Sequence, residues 1–161
     1  IILKKILARY IADQKILWLL DRVIDSFNPG LPLGNLTSQL LVNIYMNEFD
    51  QFMKHKLKVK HYIRYADDFA FFSDDKIHLE LLVPKIRQFL TDRLKLELHP
   101  SKLFIKTIAS GVDFLGWVHF PDHRILRTAT MRRMMKRINQ DNKASYEGLM
   151  KHGNTYFLMK G

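Results

Sequence analysis

The chain has 161 residues, of which 47% are hydrophobic and 26% are charged, and it contains no cysteine. This composition suits a soluble globular domain, and it excludes disulfides and thiol chemistry, as is common in a reducing cytoplasm. The formal net charge is +10, and residues 124–161 carry nine Lys or Arg against Asp141 and Glu147. Such a local basic excess favours a polyanionic partner, with a solvated basic surface as the alternative.

Three helices are predicted over the first third of the chain. Apolar residues recur at helical spacing from Ile2 to Ile11, and Asp13 is typical of an N-cap for a second helix that ends at Asn28-Pro29-Gly30. A loop rich in Gly and Pro follows. A long amphipathic helix is then predicted from Gln39 to about His55.

No membrane span or signal peptide is predicted. The longest uncharged stretch, residues 26–47, is broken by Gly and Pro, and Lys4, Lys5 and Arg9 interrupt the apolar N-terminus. The sequence opens on a helical pattern without an initiator Met. We interpret it as part of a longer cytoplasmic protein.

Two adjacent carboxylates follow the long helix. Asp67 and Asp68 lie inside the aromatic run from His61 to Phe72, which predicts two short strands joined by a turn. Carboxylates in an apolar segment need a partner, and a divalent cation with oxygen ligands supplies one, Mg²⁺ being usual where phosphates are handled. The alternative is a surface hairpin whose tip carries Asp-Asp because Asp is a common turn residue.

A helix and short strands are predicted after the acidic pair. The helical pattern runs from about Lys76 to Arg93, with Pro84 as either a kink or a new start. Residues 94–98 alternate between apolar and polar as a strand does. Residues 103–106 predict a second short strand after a turn at residues 99–102.

The last third of the chain predicts a hairpin and a basic helical region. Asp113 to Phe120 is predicted to pair with Arg124 to Leu126, and a basic helical pattern starts at Thr130. This order of elements predicts an α+β fold, in which helices cover one face of an antiparallel sheet and a small helical unit follows. We place the division between these two parts at residues 1–122 and 123–161.

A loop at the start of the long helix is a candidate ligand-binding segment. Gly34 permits close approach of the backbone to a ligand, and Ser38 is placed to cap the helix with Gln39 at its first position. A capped helix start behind a glycine loop suits a phosphate or a sugar edge. A plain loop-to-helix junction is the alternative.

Later segments contain candidates for contacts to a nucleotide or a nucleic acid. Lys102 lies at a predicted turn, where it either neutralises or protonates a departing pyrophosphate or is a simple surface lysine. Leu115-Gly116-Trp117 belongs to an aromatic hairpin whose glycine allows a nucleic-acid strand to lie against the backbone, with core packing as the alternative. Helical spacing places Arg133 and Arg137 on one face, and with Lys136 they are candidates for phosphate contacts.

Taken in order, these motifs resemble those of reverse transcriptases from prokaryotic retroelements, over nearly the whole chain. Tyr65-Ala66-Asp67-Asp68 is similar to the catalytic hairpin of that family, and Leu98 to Lys102 is similar to the segment that holds a lysine near the triphosphate. Leu115 to Trp117 is similar to the primer grip, and residues 145–149 and 151–156 are similar to the thumb. The resemblance implies a partial polymerase palm, followed by the start of a thumb, in a prokaryotic cytoplasm.

The resemblance also implies a chemistry. Two-metal nucleotidyl transfer would use Mg²⁺, or Mn²⁺ in its place, held by Asp67 and Asp68, with Lys102 as a further catalytic residue. The substrates would be dNTPs, added to a DNA or RNA primer on an RNA template. A basic accessory protein is a further candidate partner, and no membrane partner is expected.

Residues 33–39 differ from the pattern of group II intron and retron relatives, which have Gln-Gly-x-x-x-Ser-Pro there. Leu33 in place of an amide removes a polar contact near the nascent base pair, which predicts looser base discrimination. The segment is similar to that of reverse transcriptases from diversity-generating retroelements, low-fidelity enzymes that diversify a target gene through an RNA template. The nucleotide or template contacts implied by the resemblance involve these residues: Leu33, Gly34, Ser38, Gln39 and Tyr65.

One family feature has no counterpart in the sequence. The other essential carboxylate of the family lies on an earlier strand, whereas Asp13, Asp21 and Asp25 fall in helical or capping patterns. We therefore expect residues 1–161 alone to incorporate no nucleotide and the parent chain to do so. The alternative functions are a group II intron-type maturase, a non-catalytic or defence-associated RNA-binding relative, and a basic RNA-binding module without enzymatic history.

Overall fold

The computed structural model describes residues 2–26 and 35–153, which form six α-helices and two small antiparallel sheets. The chain divides into two compact units, residues 1–103 and 104–161. The predicted α+β class is confirmed, with one sheet in each unit. The predicted division after residue 122 separates a palm from a thumb subdomain and is not a division into compact units, so it stays a prediction.

The first unit starts with three helices. Their bounds are Ile2–Tyr10 for α1, Gln14–Asp25 for α2, and Leu36–Gln51 for α3, which continues into a π-helical turn over Phe52–Lys56. The Asp13 carboxylate accepts hydrogen bonds from the N–H groups of Lys15 and Ile16 at 2.8 and 3.2 Å. The predicted N-cap of α2 is therefore confirmed.

The third helix begins earlier than predicted. Asn35 is its N-cap, and the Asn35 side-chain oxygen accepts the N–H of Thr37 at 2.9 Å. The prediction that Ser38 caps this helix and that Gln39 is its first residue was wrong. A capping residue needs an extended backbone, and Asn35 has one (φ −95°, ψ 134°), whereas Ser38 is already helical.

A hairpin and a fourth helix complete the regular structure of the first unit. Strands β1 (His61–Tyr65) and β2 (Asp68–Phe72) pair antiparallel with Tyr65 opposite Asp68, which confirms the predicted hairpin. Helix α4 (Lys76–Phe89) runs through Pro84, so Pro84 does not begin a new helix. A π-helical turn over Leu90–Leu94 follows it.

The main core of the first unit lies between α3, α4 and the hairpin. Its buried residues come from the two helices and the turns after them: Met46, Phe49, Met53, Leu82, Ile86, Leu90 and Leu94. Phe49 is fully buried, and its ring centre lies 4.8 Å from that of Phe69 and 6.1 Å from that of Tyr62. A second cluster packs α1 and α2 against Leu41 and Ile44 of α3. Helix α3 is therefore the element against which the hairpin is fixed.

No strand forms over residues 94–98 or 103–106, so both of these predictions were wrong. Leu94 is buried at the end of the π-helical turn, and Lys95 adopts a left-handed backbone with a φ of 52°. Leu98 packs against the core of the first unit without a neighbouring strand. An alternating apolar pattern forms a strand only where another strand supplies backbone hydrogen bonds. Here Leu94 is buried without a partner strand, whereas Leu96 and Phe104 stay exposed.

The second unit is a small meander with two helices. Its elements are β3 (Val112–Phe114), β4 (Trp117–His119), β5 (Arg124–Leu126), α5 (Thr128–Arg137) and α6 (Lys143–Met150). The predicted pairing with residues 124–126 is confirmed for β4, whereas a turn at Leu115-Gly116 divides the predicted strand over residues 113–120. The core consists of Trp117, Leu126, Met134 and Met150. Among the described residues, no helix combines the length and the apolar character needed to cross a membrane.

Candidate active site

The turn between β1 and β2 carries the predicted catalytic pair. Ala66 and Asp67 are its two central residues, and Asp68 is the first residue of β2. Ala66 has a φ of 53°, in the left-handed region that residues with a side chain seldom adopt. The side chains of Asp67 and Asp68 are exposed, and within residues 2–26 and 35–153 neither makes an ion pair or a side-chain hydrogen bond.

The two faces of the hairpin have different surroundings. Strand alternation directs Tyr62 and Arg64 toward α3, whereas Tyr65 and Asp68 form a cross-strand pair on the other face. On that open face the Tyr65 side chain is 59% exposed. The same face carries further exposed apolar side chains: Ile63 and Phe72. A ligand that approaches the open face therefore meets an aromatic surface beside a carboxylate.

A cluster of four polar side chains, here called the Asp50 cluster, fastens the hairpin to α3. It consists of Asn43, Asp50, Tyr62 and Arg64. Arg64 donates to both carboxylate oxygens of Asp50, at 2.8 Å from Nε and 2.6 Å from Nη2. The Tyr62 hydroxyl donates to Asp50 at 2.7 Å. Arg64 Nη1 donates to the Asn43 side-chain oxygen at 3.0 Å and to the backbone carbonyl of Ala66 at 2.7 Å.

The Asp50 cluster holds Asp50 as the anion and Arg64 as the cation. Burial by itself raises the pKa of Asp50, but the hydrogen bonds from Arg64 and Tyr62 outweigh burial and lower this pKa below its usual value. The hydrogen bond to Asp50 raises the pKa of Arg64. Burial, and then the bond to Asp50, raises the pKa of the Tyr62 phenol far above its usual value. The cluster therefore keeps its charges at neutral pH.

The other predicted site residues of the first unit belong to other segments of the chain than the turn. Leu33 and Gly34 lie outside the described residues. Ser38 is buried, and its hydroxyl has no hydrogen-bond partner among the described residues, while Gln39 is exposed. Lys102 is exposed at the end of a 3₁₀ turn over Pro100–Lys102, and its side chain makes no ion pair within the described part of the chain.

The second unit contains the three residues predicted to contact the primer. Leu115 and Gly116 form a two-residue turn with φ values of 53° and 82°, and a Cβ added at Gly116 would lie 3.3 Å from the Thr130 hydroxyl. Trp117 is only 8% exposed and belongs to the core, where the Arg124 guanidinium lies 4.9 Å from its ring centre. The backbone turn and the Leu115 side chain, rather than the Trp117 ring, are the parts that a ligand can reach.

The basic residues of α5 form an exposed surface of the second unit. Arg133, Lys136 and Arg137 are all exposed, and Arg133 and Arg137 are four residues apart on the same helix. This spacing suits two neighbouring phosphates of a nucleic-acid strand, and the contacts themselves stay a prediction.

Comparison with known sequences identifies the family. A family model described as reverse transcriptase (RNA-dependent DNA polymerase) matches residues 7–119, well over half of the chain. The chain belongs to the reverse transcriptase family. It is also 27% identical, over 168 residues, to Protein YkfC of Escherichia coli (strain K12), an alignment that covers 78% of this chain and 42% of YkfC. The chain thus spans less than half the length of the curated relative that it matches.

The reverse transcriptase match includes the β1–β2 turn, Lys102 and the Leu115-Gly116 turn, whereas the basic residues of α5 lie beyond it. The two turn carboxylates, Asp67 and Asp68, are hard oxygen ligands of the type that Mg²⁺ prefers. Across residues 2–26 and 35–153, no group of three or more His, Asp or Glu side chains is arranged to hold a metal ion. The described residues therefore supply two candidate ligands at this turn.

The Asp50 cluster was not predicted from the sequence. A signal was present, because Arg64 and Tyr62 share one face of a strand whose alternation directs them into the unit, and a cation directed inward needs an acidic partner. The partner itself was not evident, since Asp50 precedes Arg64 by 14 residues and lies on a helix with several acidic and amide side chains.

Proposed function

We propose that the protein containing this sequence is an RNA-directed DNA polymerase, with Asp67 and Asp68 in its nucleotidyl-transfer site. The observation that supports this proposal best is a pair of exposed carboxylates without ion-pair partners among the described residues, on a turn fastened to α3. Two adjacent carboxylates repel each other, and a divalent cation removes that cost. The membership of the chain in the reverse transcriptase family supports the same function.

The carboxylates at the turn are of the ligand type that Mg²⁺ prefers, and Mn²⁺ is an alternative ion. Magnesium is commonly bound through one or two carboxylates together with substrate phosphates, so Asp67 and Asp68 would hold it. When bound, the ion would supply Lewis-acid stabilisation of negative charge on phosphate oxygens. The Tyr65 ring, on the same face as Asp68, offers a surface on which a base or sugar can lie.

The proposed substrates are an RNA template, a DNA or RNA primer and dNTPs. The net charge of +10 and the exposed cations of α5 support a nucleic-acid partner, because each Lys or Arg that neutralises a phosphate releases counterions. We expect binding of a template–primer duplex to weaken steeply as the salt concentration rises.

Primer extension by the complete protein tests the proposed function. We expect Mg²⁺-dependent incorporation of dNTPs on an RNA template by the wild-type chain, and loss of incorporation when Asp67→Asn or Asp68→Asn removes a carboxylate. Asp74→Asn is the matched control, because Asp74 is an exposed aspartate just after β2 and outside the turn. Extension by Asp67→Asn at the wild-type rate, or no extension by the wild-type protein, would contradict the proposal.

We further propose that residues 1–161 alone are inactive. Two carboxylates supply fewer ligands than a site for two ions needs, and the described residues provide no third ligand at the turn. The same extension assay, with the isolated segment and the complete protein at equal concentration, checks this. Equal activity of the two samples would show that the site is complete within residues 1–161.

Low-fidelity copying, as in a diversity-generating retroelement, is our proposal for the type of enzyme. The support is Leu33, an apolar residue where group II intron and retron relatives have an amide, together with Gln39 after Ser38. We expect frequent misincorporation opposite template adenines, and a lower error rate in Leu33→Gln. Leu36→Gln is the matched control, because Leu36 is an exposed leucine three residues further along. An error rate that Leu33→Gln leaves unchanged would contradict this assignment.

A further inference from the structure

Arg64 has a set of contacts that an ordinary ion pair does not need. Four of its five N–H donors are used, and they reach three different partners: Asp50, Asn43 and the carbonyl of Ala66. Only two of these donors serve the ion pair with Asp50. The other two, both on Nη1, join helix α3 to the backbone of the turn. The guanidinium therefore connects the acidic turn directly to helix α3.

The turn requires such a connection because its backbone is in a costly conformation. Ala66 has a φ of 53°, and a residue with a side chain in the left-handed region is disfavoured by about 1 kcal/mol or more. The Ala66 carbonyl belongs to the peptide group that leads into Asp67, so its orientation helps to determine where the Asp67 carboxylate points. The 2.7 Å bond from Arg64 fixes that peptide group.

The carboxylates have no other support within the described residues. Neither Asp67 nor Asp68 receives a side-chain hydrogen bond in the described ranges, so their positions depend on the backbone of the turn. Arg64 suits the task because the planar guanidinium presents its donors in a fixed geometry and its side chain is only 9% exposed. Lysine keeps the charge, but its single nitrogen cannot span the two carboxylate oxygens of Asp50 and the carbonyl of Ala66.

We propose that Arg64 is a positioning residue for nucleotidyl transfer, which holds the Asp67-Asp68 turn in its reactive orientation by tying the Ala66 carbonyl to Asp50 and Asn43 of α3. This inference rests on the proposed function. It assigns Arg64 no contact with substrate or with the reacting atoms. Its effect passes through the backbone of the turn, and a misplacement of catalytic groups by about 1 Å can cost roughly 100-fold in rate.

The test is Arg64→Lys in the complete protein, studied by steady-state primer extension well below its unfolding temperature. We expect the kcat for dNTP incorporation to fall roughly 100-fold, in line with the cost of misplaced catalytic groups. The KM for dNTP and the Kd for the template–primer duplex should stay close to the wild-type values, because no binding surface changes. The Mg²⁺ concentration that gives half the maximal rate should rise, because the turn no longer holds the two carboxylates in place.

Arg87→Lys is the matched control, since Arg87 is an exposed arginine on α4. We expect this variant to keep the wild-type kcat and the wild-type Mg²⁺ dependence. Should Arg64→Lys fail to fold, Asp50→Asn replaces it, because the amide keeps the size of the side chain and one acceptor oxygen while it removes the charge that anchors Arg64. A drop in kcat at unchanged KM is expected for this variant too.

The outcomes separate the two proposals. No extension by the wild-type protein would overturn the proposed function, and this inference with it. An active wild-type protein with a folded Arg64→Lys variant of unchanged kcat and unchanged Mg²⁺ dependence would overturn the positioning role alone. A variant that loses thermal stability but keeps its kcat would show that Arg64 is a structural residue only, and unchanged kcat in Asp50→Asn would have the same meaning.

Discussion

Removal of the Asp50 carboxylate is expected to destabilise the first unit strongly. Asp50→Ala removes the acceptor of three short hydrogen bonds, two from Arg64 at 2.8 and 2.6 Å and one from Tyr62 at 2.7 Å. It leaves the Arg64 guanidinium, with a side chain only 9% exposed, without its counter-charge. Breaking a buried pair in this way costs about 3–5 kcal/mol. Because the Asp50 side chain is 21% exposed and water can replace part of the lost interaction, we expect a loss of about 3 kcal/mol.

Urea denaturation, followed by circular dichroism at neutral pH, measures this loss as a change in the free energy of unfolding. Glu80→Ala is the control, because it breaks the exposed i,i+4 pair of Lys76 and Glu80, whose nitrogen and oxygen lie 3.5 Å apart. An exposed pair of this type contributes less than about 1 kcal/mol. The two variants should therefore differ by a measurable margin.

A double variant distinguishes a lost attraction from a charge that is left buried. In Asp50→Ala/Arg64→Met no charge remains in the Asp50 cluster, and apolar replacements of buried ion pairs are often neutral or stabilising. We expect this variant to recover part of the stability that Asp50→Ala loses. Equal losses for Asp50→Ala and Glu80→Ala, or a double variant less stable than Asp50→Ala, would refute the reasoning.

Three further predictions concern acid stability, a turn and the core. The pKa of Asp50 in the folded state lies below its usual value, so the ionised carboxylate stabilises the fold above about pH 4. This stabilisation is lost as the pH falls through the pKa of the folded state. Acid titration should therefore destabilise the wild-type chain more than Asp50→Asn. Gly116→Ala should lower the free energy of unfolding by about 1–2 kcal/mol, because a residue with a side chain is strained at a φ of 82°. Thermal unfolding measures this loss, and a melting temperature equal to that of the wild type would contradict the prediction. Phe49→Ala should lower the free energy of unfolding, measured by urea denaturation, by about 3–5 kcal/mol, because Phe49 is fully buried. A loss smaller than that of Glu80→Ala would contradict the assigned core.

Features that depend on neighbouring residues in the sequence were predicted best. The Asp13 cap needs only the N–H groups two and three residues on, and the hairpin needs only two short aromatic strands on either side of a two-residue turn. Both predictions are confirmed. The start of α3 was predicted three residues too late, because Asn35 and Ser38 are both good caps and the sequence does not say which one has the extended backbone.

Features that depend on distant residues were not predicted. Residues 94–98 alternate as a strand does, yet Leu94 is buried as the end of a helical segment against α3, an outcome decided by packing and not by periodicity. The bond between Arg64 and Asp50 requires the register of the hairpin on α3, which no local pattern supplies. The acidic turn was therefore recognised from the sequence, while the side chains that hold it were not.

The open face of the β1–β2 hairpin has a practical consequence for handling the protein. Within the described residues the hairpin is a sheet of only two strands, so each strand has an edge with unpaired backbone groups. Exposed edges beside exposed apolar side chains, here Ile63, Tyr65 and Phe72, favour addition of a strand from another molecule. Concentrated samples of the isolated segment should for this reason self-associate through the edges of this hairpin.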